Sequence, residues 1–267
     1  MTEPTGRSVT KQPALQSVTI ALSVLDALAV APELSLSELA RRVGIAKSTA
    51  HRTCAVLTGA GMLTRTEAGK YRLGLRLIEY GHLAAGRSPV GEHALPMLVE
   101  LRTMLGETVQ VGVPVGGDVV YVERVEGVHA LRYVTDNSRR GPVHRSSAGK
   151  VLCAFVPGVL EARLAGGLPR STGYTIVVPD VFRSEVAKVR ERGFARSIDE
   201  TEIGMSSLAV PVRSSTNGPV VAAISMIGPT SRVTDGESHH ISVLQSAARK
   251  LTASLENGDY RLPRRRK

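Results

Sequence analysis

At 267 residues the chain is long enough for two domains, each with its own buried core. No apolar run approaches the roughly 20 residues that span a bilayer, and the scarcity of aromatics, with no Trp, disfavours stacking platforms for single-stranded nucleic acid. The formal net charge of +10 is uneven: residues 1–90 carry 11 Lys and Arg against 6 Asp and Glu, residues 258–267 carry 5 against 1, and the span between is nearly neutral at 18 against 17.

Residues 1–14, with Glu3, Pro4 and Gly6, lack a signal-peptide core and read as a flexible arm, so a cytoplasmic protein is expected. A helix over 16–28 places an apolar stripe at Val18, Leu22, Leu25 and Leu28, expected to pack beneath the two helices that follow. Ser35 supplies a hydroxyl before a turn with apolar residues at Leu36, Leu39, Ala40 and Val43, which is helical spacing with an N-cap. Gly44 breaks that helix, and a second runs from Ile45-Ala46-Lys47 through Leu57 to a stop at Gly59-Ala60-Gly61. Residues 62–74 then read as two short strands around a turn at Glu67 to Gly69. Residues 15–74 thus have the outline of a winged helix-turn-helix.

Any αα-hairpin followed by a β-hairpin shares that outline, so the chemistry of the second helix has to decide. Lys47, Ser48, Thr49, His51 and Arg52 supply donors for phosphates and base edges, Ala50, Cys54 and Leu57 can turn inward, and the helix has no acid. Ser37 on the first helix and Arg65, Lys70 and Arg72 on the wing complete the expected contacts to double-stranded DNA.

Residues 75–89 read as a linker helix ending at Gly86-Arg87-Ser88-Pro89. The pattern then changes over 90–257. A helix over 90–105 precedes alternating strands at 108–114, 119–125 and Ala130–Val134; helices follow near 148–155 and 180–192; strands at 207–213 and 220–227 flank Thr216-Asn217-Gly218-Pro219; and a helix over about 236–255 closes the domain. This predicts a mixed α/β (α+β) domain with a largely antiparallel sheet and helices on its faces. Residues 258–267 form a basic tail, read either as a solubilising segment or as a further contact.

Ser147-Ala148-Gly149-Lys150 admits three functional readings. It fits the S-x-x-K spacing of a nucleophile with its lysine, although the companion S-D-N and K-T-G elements are missing. A P-loop is excluded because His144 stands where its first Gly belongs. A helix start whose free N–H groups face a cavity would favour a carboxylate, and an ordinary capped helix would do neither. His239-His240 lacks metal-ligand spacing, Asp199, Glu200 and Glu202 read as solvated acids on a turn, and Cys54 and Cys153 read as small core residues. No metal or other cofactor is expected.

Taken in order, these blocks resemble the IclR family of bacterial transcriptional regulators. The marks are Gln16-Ser17-Val18, the run from Leu39 to Arg52, Gly61-Met62-Leu63 with Tyr71-Arg72-Leu73-Gly74, the run from Ser147 to Leu152, Gly193-Phe194-Ala195 with Glu200 and Gly204, the run from Leu208 to Val212, and Gly218 to Ser225 with Gly228-Pro229. The resemblance implies a winged helix-turn-helix joined by a linker helix to a GAF-like effector domain, with homodimers or homotetramers binding a pseudo-palindromic operator. It also implies a pocket lined by Ser147, Ala148 and Gly149 and by Ser197, Ser207 and Ser225, to which Leu131 and Tyr133 are added from the neighbouring strand. Serine stands at 197 and 207 where some members place an acid or cysteine.

A ligand-responsive regulator, probing a small organic effector such as an aliphatic or aromatic carboxylate held by N–H groups rather than arginine, is the reading these features favour. The competing ones are a small-molecule hydrolase using Ser147 and Lys150, and a non-specific nucleoid protein, for which a neutral domain of about 165 residues has no electrostatic use. On the favoured reading Ala148→Leu fills the pocket and abolishes the ligand response.

Overall fold

The computed structural model describes residues 15–85, 89–128 and 139–258. The expected arm at 1–14, the strand at Ala130–Val134 with Leu131 and Tyr133, and the basic tail beyond 258 lie outside the described residues. The chain divides into two compact units between Leu83 and Ala84.

The first unit holds α1 (Gln16–Ala29), α2 (Leu36–Val43), α3 (Lys47–Gly59), β1 (Leu63–Arg65), β2 (Tyr71–Leu73) and most of α4 (Arg76–Ala85). Local chemistry fixes the boundaries of α2. The Glu38 N–H donates to Ser35 Oγ at 3.3 Å while the Glu38 carboxylate accepts from the Ser35 N–H at 2.8 Å, a capping box worth about 1 kcal/mol. At the other end Gly44 takes a left-handed φ of 72°, which glycine adopts without steric cost, and its N–H returns to the Ala40 carbonyl. β1 and β2 pair antiparallel with Leu63 opposite Leu73, and Tyr71 bridges to Leu34. Val24, Leu28, Leu34, Leu39, Cys54, Leu63 and Tyr71 form the core.

The stripe expected on α1 needs correction. Val24 and Leu28 are buried, but Val18 and Leu22 are 52% and 57% exposed. At 100° per residue, residues 18 and 22 lie roughly a quarter-turn or more away from the direction shared by 24 and 28, so α1 carries two apolar faces rather than one.

The second unit holds α5 (Pro89–Leu105), β3 (Thr108–Val115), β4 (Asp118–Val125), β5 (Arg140–Pro142), a 3-10 turn at Val143–Arg145, α6 (Ser147–Phe155), α7 (Val159–Ala165), α8 (Pro179–Arg192), β6 (Ala195–Ile198), β7 (Met205–Arg213), β8 (Val220–Pro229), α9 (Thr230–Thr234) and α10 (Glu237–Asn257). The strands form one sheet in the order β5-β4-β3-β8-β7-β6 with every neighbouring pair antiparallel. Strand alternation divides its residues between two cores. Val109, Val111, Leu208, Val210, Ile224 and Met226 pack with α5 and α10, whereas Ala209, Ala223, Ala195 and Val119 pack with α6 and α8. Gln110, Ser207 and Ser225 belong to this second face by alternation, so the sheet turns hydroxyls and an amide toward α6. The short elements β5, α7 and α9 are not anticipated from sequence, being too brief to establish a period, and β6 carries Ser197 on a strand as the resemblance implies.

Candidate functional site

The face of α3 is set by helical rotation. Ala50 and Cys54 are fully buried and Leu57 is half-buried, which directs Lys47, Ser48, His51 and Arg52 outward, with Thr49 at the boundary. No hydrogen bond or ion pair engages the side chains of Lys47, Ser48, His51 or Arg52 among the described residues. Ala46, at the N-cap, makes no side-chain hydrogen bond. The start of α3 therefore keeps backbone donors unspent, and a cation at Lys47 opposes the helix dipole instead of complementing it. Such an arrangement suits an external anion.

The other expected contacts are less uniform. Ser37 is exposed in the first turn of α2, and Arg72 is exposed on β2. Arg65 donates from Nε to the Gly69 carbonyl at 3.4 Å and lies 6.0 Å over the Tyr71 ring. Lys70 is already paired with Glu33 at 2.7 Å, and that carboxylate raises its pKa.

In the second unit a cavity of about 220 Å³ opens between the sheet face and the approach to α6. Gln110, Val119, Tyr121, Arg124, Ser207 and Ile227 come from the sheet; Arg140, Gly141 and Pro142 from β5; Arg145 and Ser146 from the turn before α6; and Thr201 and Glu202 from the loop after β6. That loop is held in place from several sides. Asp199 adopts a φ of 57°, which its short polar side chain tolerates, and its carboxylate accepts from the Gly204 N–H at 3.0 Å and the Thr230 hydroxyl at 2.6 Å. The Thr201 hydroxyl donates to the Arg145 carbonyl at 2.8 Å, as does that of Ser197.

This geometry redistributes the expected pocket residues. Ser207 lines the cavity. Ser147 stands one bond behind it, its hydroxyl donating to Ser207 Oγ at 2.8 Å. Ala148 is fully buried in the core under α6, and Gly149 packs so tightly that an added Cβ would sit 2.2 Å from the Val143 carbonyl oxygen. The Gly149 N–H donates to Ser146 Oγ at 3.1 Å, so the start of α6 is capped rather than open to a ligand. Ser197 is turned to the Arg145 carbonyl, and Ser225, 1% exposed, has no partner for its hydroxyl among the described residues. Arginines, absent from the expected set, are prominent in the cavity.

Sequence reasoning missed Gln110, Arg124, Arg145, Ser146 and Thr201. Gln110 left a usable signal: it interrupts Val109 and Val111 on a strand whose two faces are both covered, so an amide had to be buried there.

Glu200 is the clearest correction. It is not a solvated acid; it is 7% exposed and forms a short ion pair with Lys150, itself 1% exposed. Lys150 Nζ also donates to the Arg196 carbonyl at 3.1 Å and lies 3.9 Å from Glu185, which pairs with Arg192 at 2.9 Å. Burial pushes the Glu200 carboxyl above its usual range while the Lys150 charge pulls it back. Lys150 is thus committed to carboxylates and unavailable as a base for Ser147. Nearby, burial holds His144 below the usual imidazole range; its Nε2 lies 3.0 Å from the Pro169 carbonyl and its ring stands edge-on to Phe182. Cys54 and Cys153 are free and buried, with the Cys153 thiol pushed up to about 12 by desolvation. Among the described residues no His, Cys, Asp or Glu cluster could hold a metal ion, and no helix is long and apolar enough to cross a membrane.

Comparisons with known proteins agree with this division of the chain. The family model for the IclR helix-turn-helix domain matches residues 17–67, and that for the C-terminal domain of the bacterial transcriptional regulator IclR matches residues 82–253. The HTH-type transcriptional regulator XynR of Escherichia coli is 36% identical over 248 residues, covering 91% of this chain and 98% of that protein. KdgR of Escherichia coli is 30% identical over 255 residues, covering 94% and 97%. Among solved structures, the Thermotoga maritima IclR superposes with a TM-score of 0.69 at 29% identity, covering 91% of this chain and 99% of that one. An IclR homolog from Microbacterium hydrocarbonoxydans complexed with 4-hydroxybenzoate superposes with a TM-score of 0.76 at 29% identity, covering 90% and 99%.

Proposed function

The chain belongs to the IclR family, whose members are transcriptional regulators rather than enzymes, and we propose that it reads a pseudo-palindromic operator with α3 and answers to a small organic effector in the cavity of its second unit. The observation that carries this reading is the exposed, acid-free and unpaired face of α3 at an uncapped helix start. A face of that kind gains most from phosphates and base edges, and Lys47, Ser48, Thr49, His51 and Arg52 are its contacts. Ser37, Arg65, Arg72 and, more weakly, Lys70 add backbone anchoring.

The exposed apolar residues of α1 and α4 support a homodimer. Val18, Leu22, Ile78 and Leu83 are each more than half exposed, an expensive arrangement in water unless a second copy covers them. Two copies present two α3 helices, which gives a site with dyad symmetry; pairs of dimers would give the tetramer. On this reading residues 15–74 read DNA, 75–89 connect and 90–257 hold the effector, and the protein works in the cytoplasm where bacterial DNA lies. The relative that binds 4-hydroxybenzoate and another named the glycerol operon regulatory protein of Streptomyces coelicolor support control of a catabolic operon by a small molecule.

The decisive experiment combines footprinting with a blocked cavity. The wild type is expected to protect a pseudo-palindrome and to change its occupancy when effector is added. Ile227→Trp, which fills the cavity from a half-buried position, should keep the footprint and lose the response, and Ser207→Phe should do the same from the paired position on the neighbouring strand. A footprint without dyad symmetry, or an effector response intact in both variants, would overturn this assignment.

A further inference from the structure

We propose that Val56 is a specificity-determining residue of the DNA-reading face, selecting thymine in the operator by packing on its 5-methyl group in the major groove. This rests on the proposed role of α3 as the helix that meets the operator. Ser48, Arg52 and Val56 follow one another at intervals of four, so they share one exposed face, turned away from the buried Ala50 and Cys54. The first two bring a hydroxyl and a guanidinium to that face. Val56 brings neither a donor nor an acceptor, and it is 72% exposed.

Neither packing nor helix propensity accounts for a valine there. It borders an open groove beside Ile20 and Ala21 of α1, which leave it uncovered. Its β-branched side chain loses rotamer freedom in a helix, so α3 gains nothing locally from it over alanine. Ala55 and Gly59, also exposed, carry no polar side-chain atoms, and a Cβ on Gly59 would meet no atom within 4 Å. The face therefore changes character along the helix, with donors from Lys47 to Arg52 and hydrocarbon or bare backbone beyond.

The apolar end has one chemical match in the major groove. Every base pair presents polar edge atoms there, and thymine alone adds a methyl group. Against a purine N7 or an exocyclic amine, Val56 would strip water from a polar atom and return no bond; against the thymine methyl it buries two apolar surfaces. A second copy packed on the same ridge would bring its own Lys47 and Arg52 against an acid-free helix, so like charges oppose that occupant. Four helical residues rise about 6 Å, close to two base steps, so the thymine lies within about two base pairs of the position Arg52 meets.

The test replaces each thymine of the protected half-site in turn by deoxyuridine, which removes the methyl and leaves the pairing edge unchanged. Affinity for the full chain is read by fluorescence anisotropy at fixed salt. With the wild type, at least one such exchange should weaken binding about threefold to fivefold, the scale of one buried methyl group. Val56→Ala should shrink that difference below about twofold, while its thermal unfolding stays that of the wild type. No thymine sensitive to the exchange, or a sensitivity undiminished in Val56→Ala, would overturn this assignment while leaving α3 as the reading helix. Arg52→Ala and Ser48→Ala binding the operator like wild type would instead overturn the role of α3 on which it rests. Val56→Ala weakening the thymine and uridine duplexes equally, with a lower mass in sedimentation, would assign the valine to a contact between copies and overturn it as well.

Discussion

Lys47 and Lys150 both sit in the opening turn of a helix beside serines and small residues, yet they live in opposite surroundings. Lys47 is exposed at the uncapped start of α3 and has no partner among the described residues. Lys150 is 1% exposed in α6, bound to Glu200 and the Arg196 carbonyl. A solvated cation with no internal partner costs the fold little and is available to an external anion. A buried one must be matched inside the protein, because removing either member leaves an uncompensated charge. On the proposed reading the first lysine serves recognition, while the second belongs to architecture, although their sequence neighbourhoods look alike.

The sharpest way to break this contrast is Lys150→Met. It should cost about 3–5 kcal/mol of folding stability by leaving Glu200 charged and unpaired, and Lys150→Met with Glu200→Met should recover much of the loss. Glu200 also sets the sign of the pH effect. Its carboxyl is already raised by burial, so whatever stability its proton binding contributes is present below the ordinary glutamate range and is lost as pH rises through the folded value. Without Lys150 that value rises further, so the deficit relative to wild type should widen from pH 5 to pH 8 in urea denaturation. A deficit that is absent, or that shrinks over the same interval, would remove Lys150 from the structural role.

Arg52→Ala probes the other side of the comparison. Operator affinity should fall by about 1–3 kcal/mol if Arg52 meets a base or a well-held phosphate, while folding stability stays within about 0.5 kcal/mol of wild type. Binding titrations alongside denaturation separate the two quantities. Arg52→Ala and Ser48→Ala binding the operator like wild type would withdraw the recognition role from α3.

How much of this was legible in the sequence depends on distance along the chain. The start of α2 at Ser35, its stop at Gly44 and the inward turn of Ala50 and Cys54 follow from residues within a few positions of one another, and the structure places them as read. The cavity is different. Gln110, Arg124, Arg145, Thr201 and Ser207 meet only because β3, β4, β7, the turn before α6 and the loop after β6 converge, and no local period encodes that meeting. Serine spacing at 147–149 drew attention to the right region but not to the right atoms: Ser146 caps the helix, Gly149 is pressed on the Val143 backbone, and Ala148 is core. Ala148→Leu is accordingly a core-overpacking change rather than a pocket block. Glu200 was misread for the same reason, since its partner lies 50 residues away.

The smallest expected effect sharpens the comparison within the first unit itself. Lys47 and Lys70 carry the same charge, but Lys70 is held by Glu33 at 2.7 Å and Lys47 is free of any partner among the described residues. A lysine that neutralises a phosphate releases about one counterion, so its removal should lower the slope of log affinity against log salt by about 1. Lys47→Ala should show that change. Lys70→Ala should show less, because its charge is already half spent on Glu33 and its loss exposes that carboxylate to the DNA. Adding Glu33→Gln to the wild type should then release Lys70 and steepen the slope. Equal slopes for Lys47→Ala and Lys70→Ala, measured by fluorescence anisotropy over a salt series, would mean that internal pairing does not govern which cations of this unit reach the DNA.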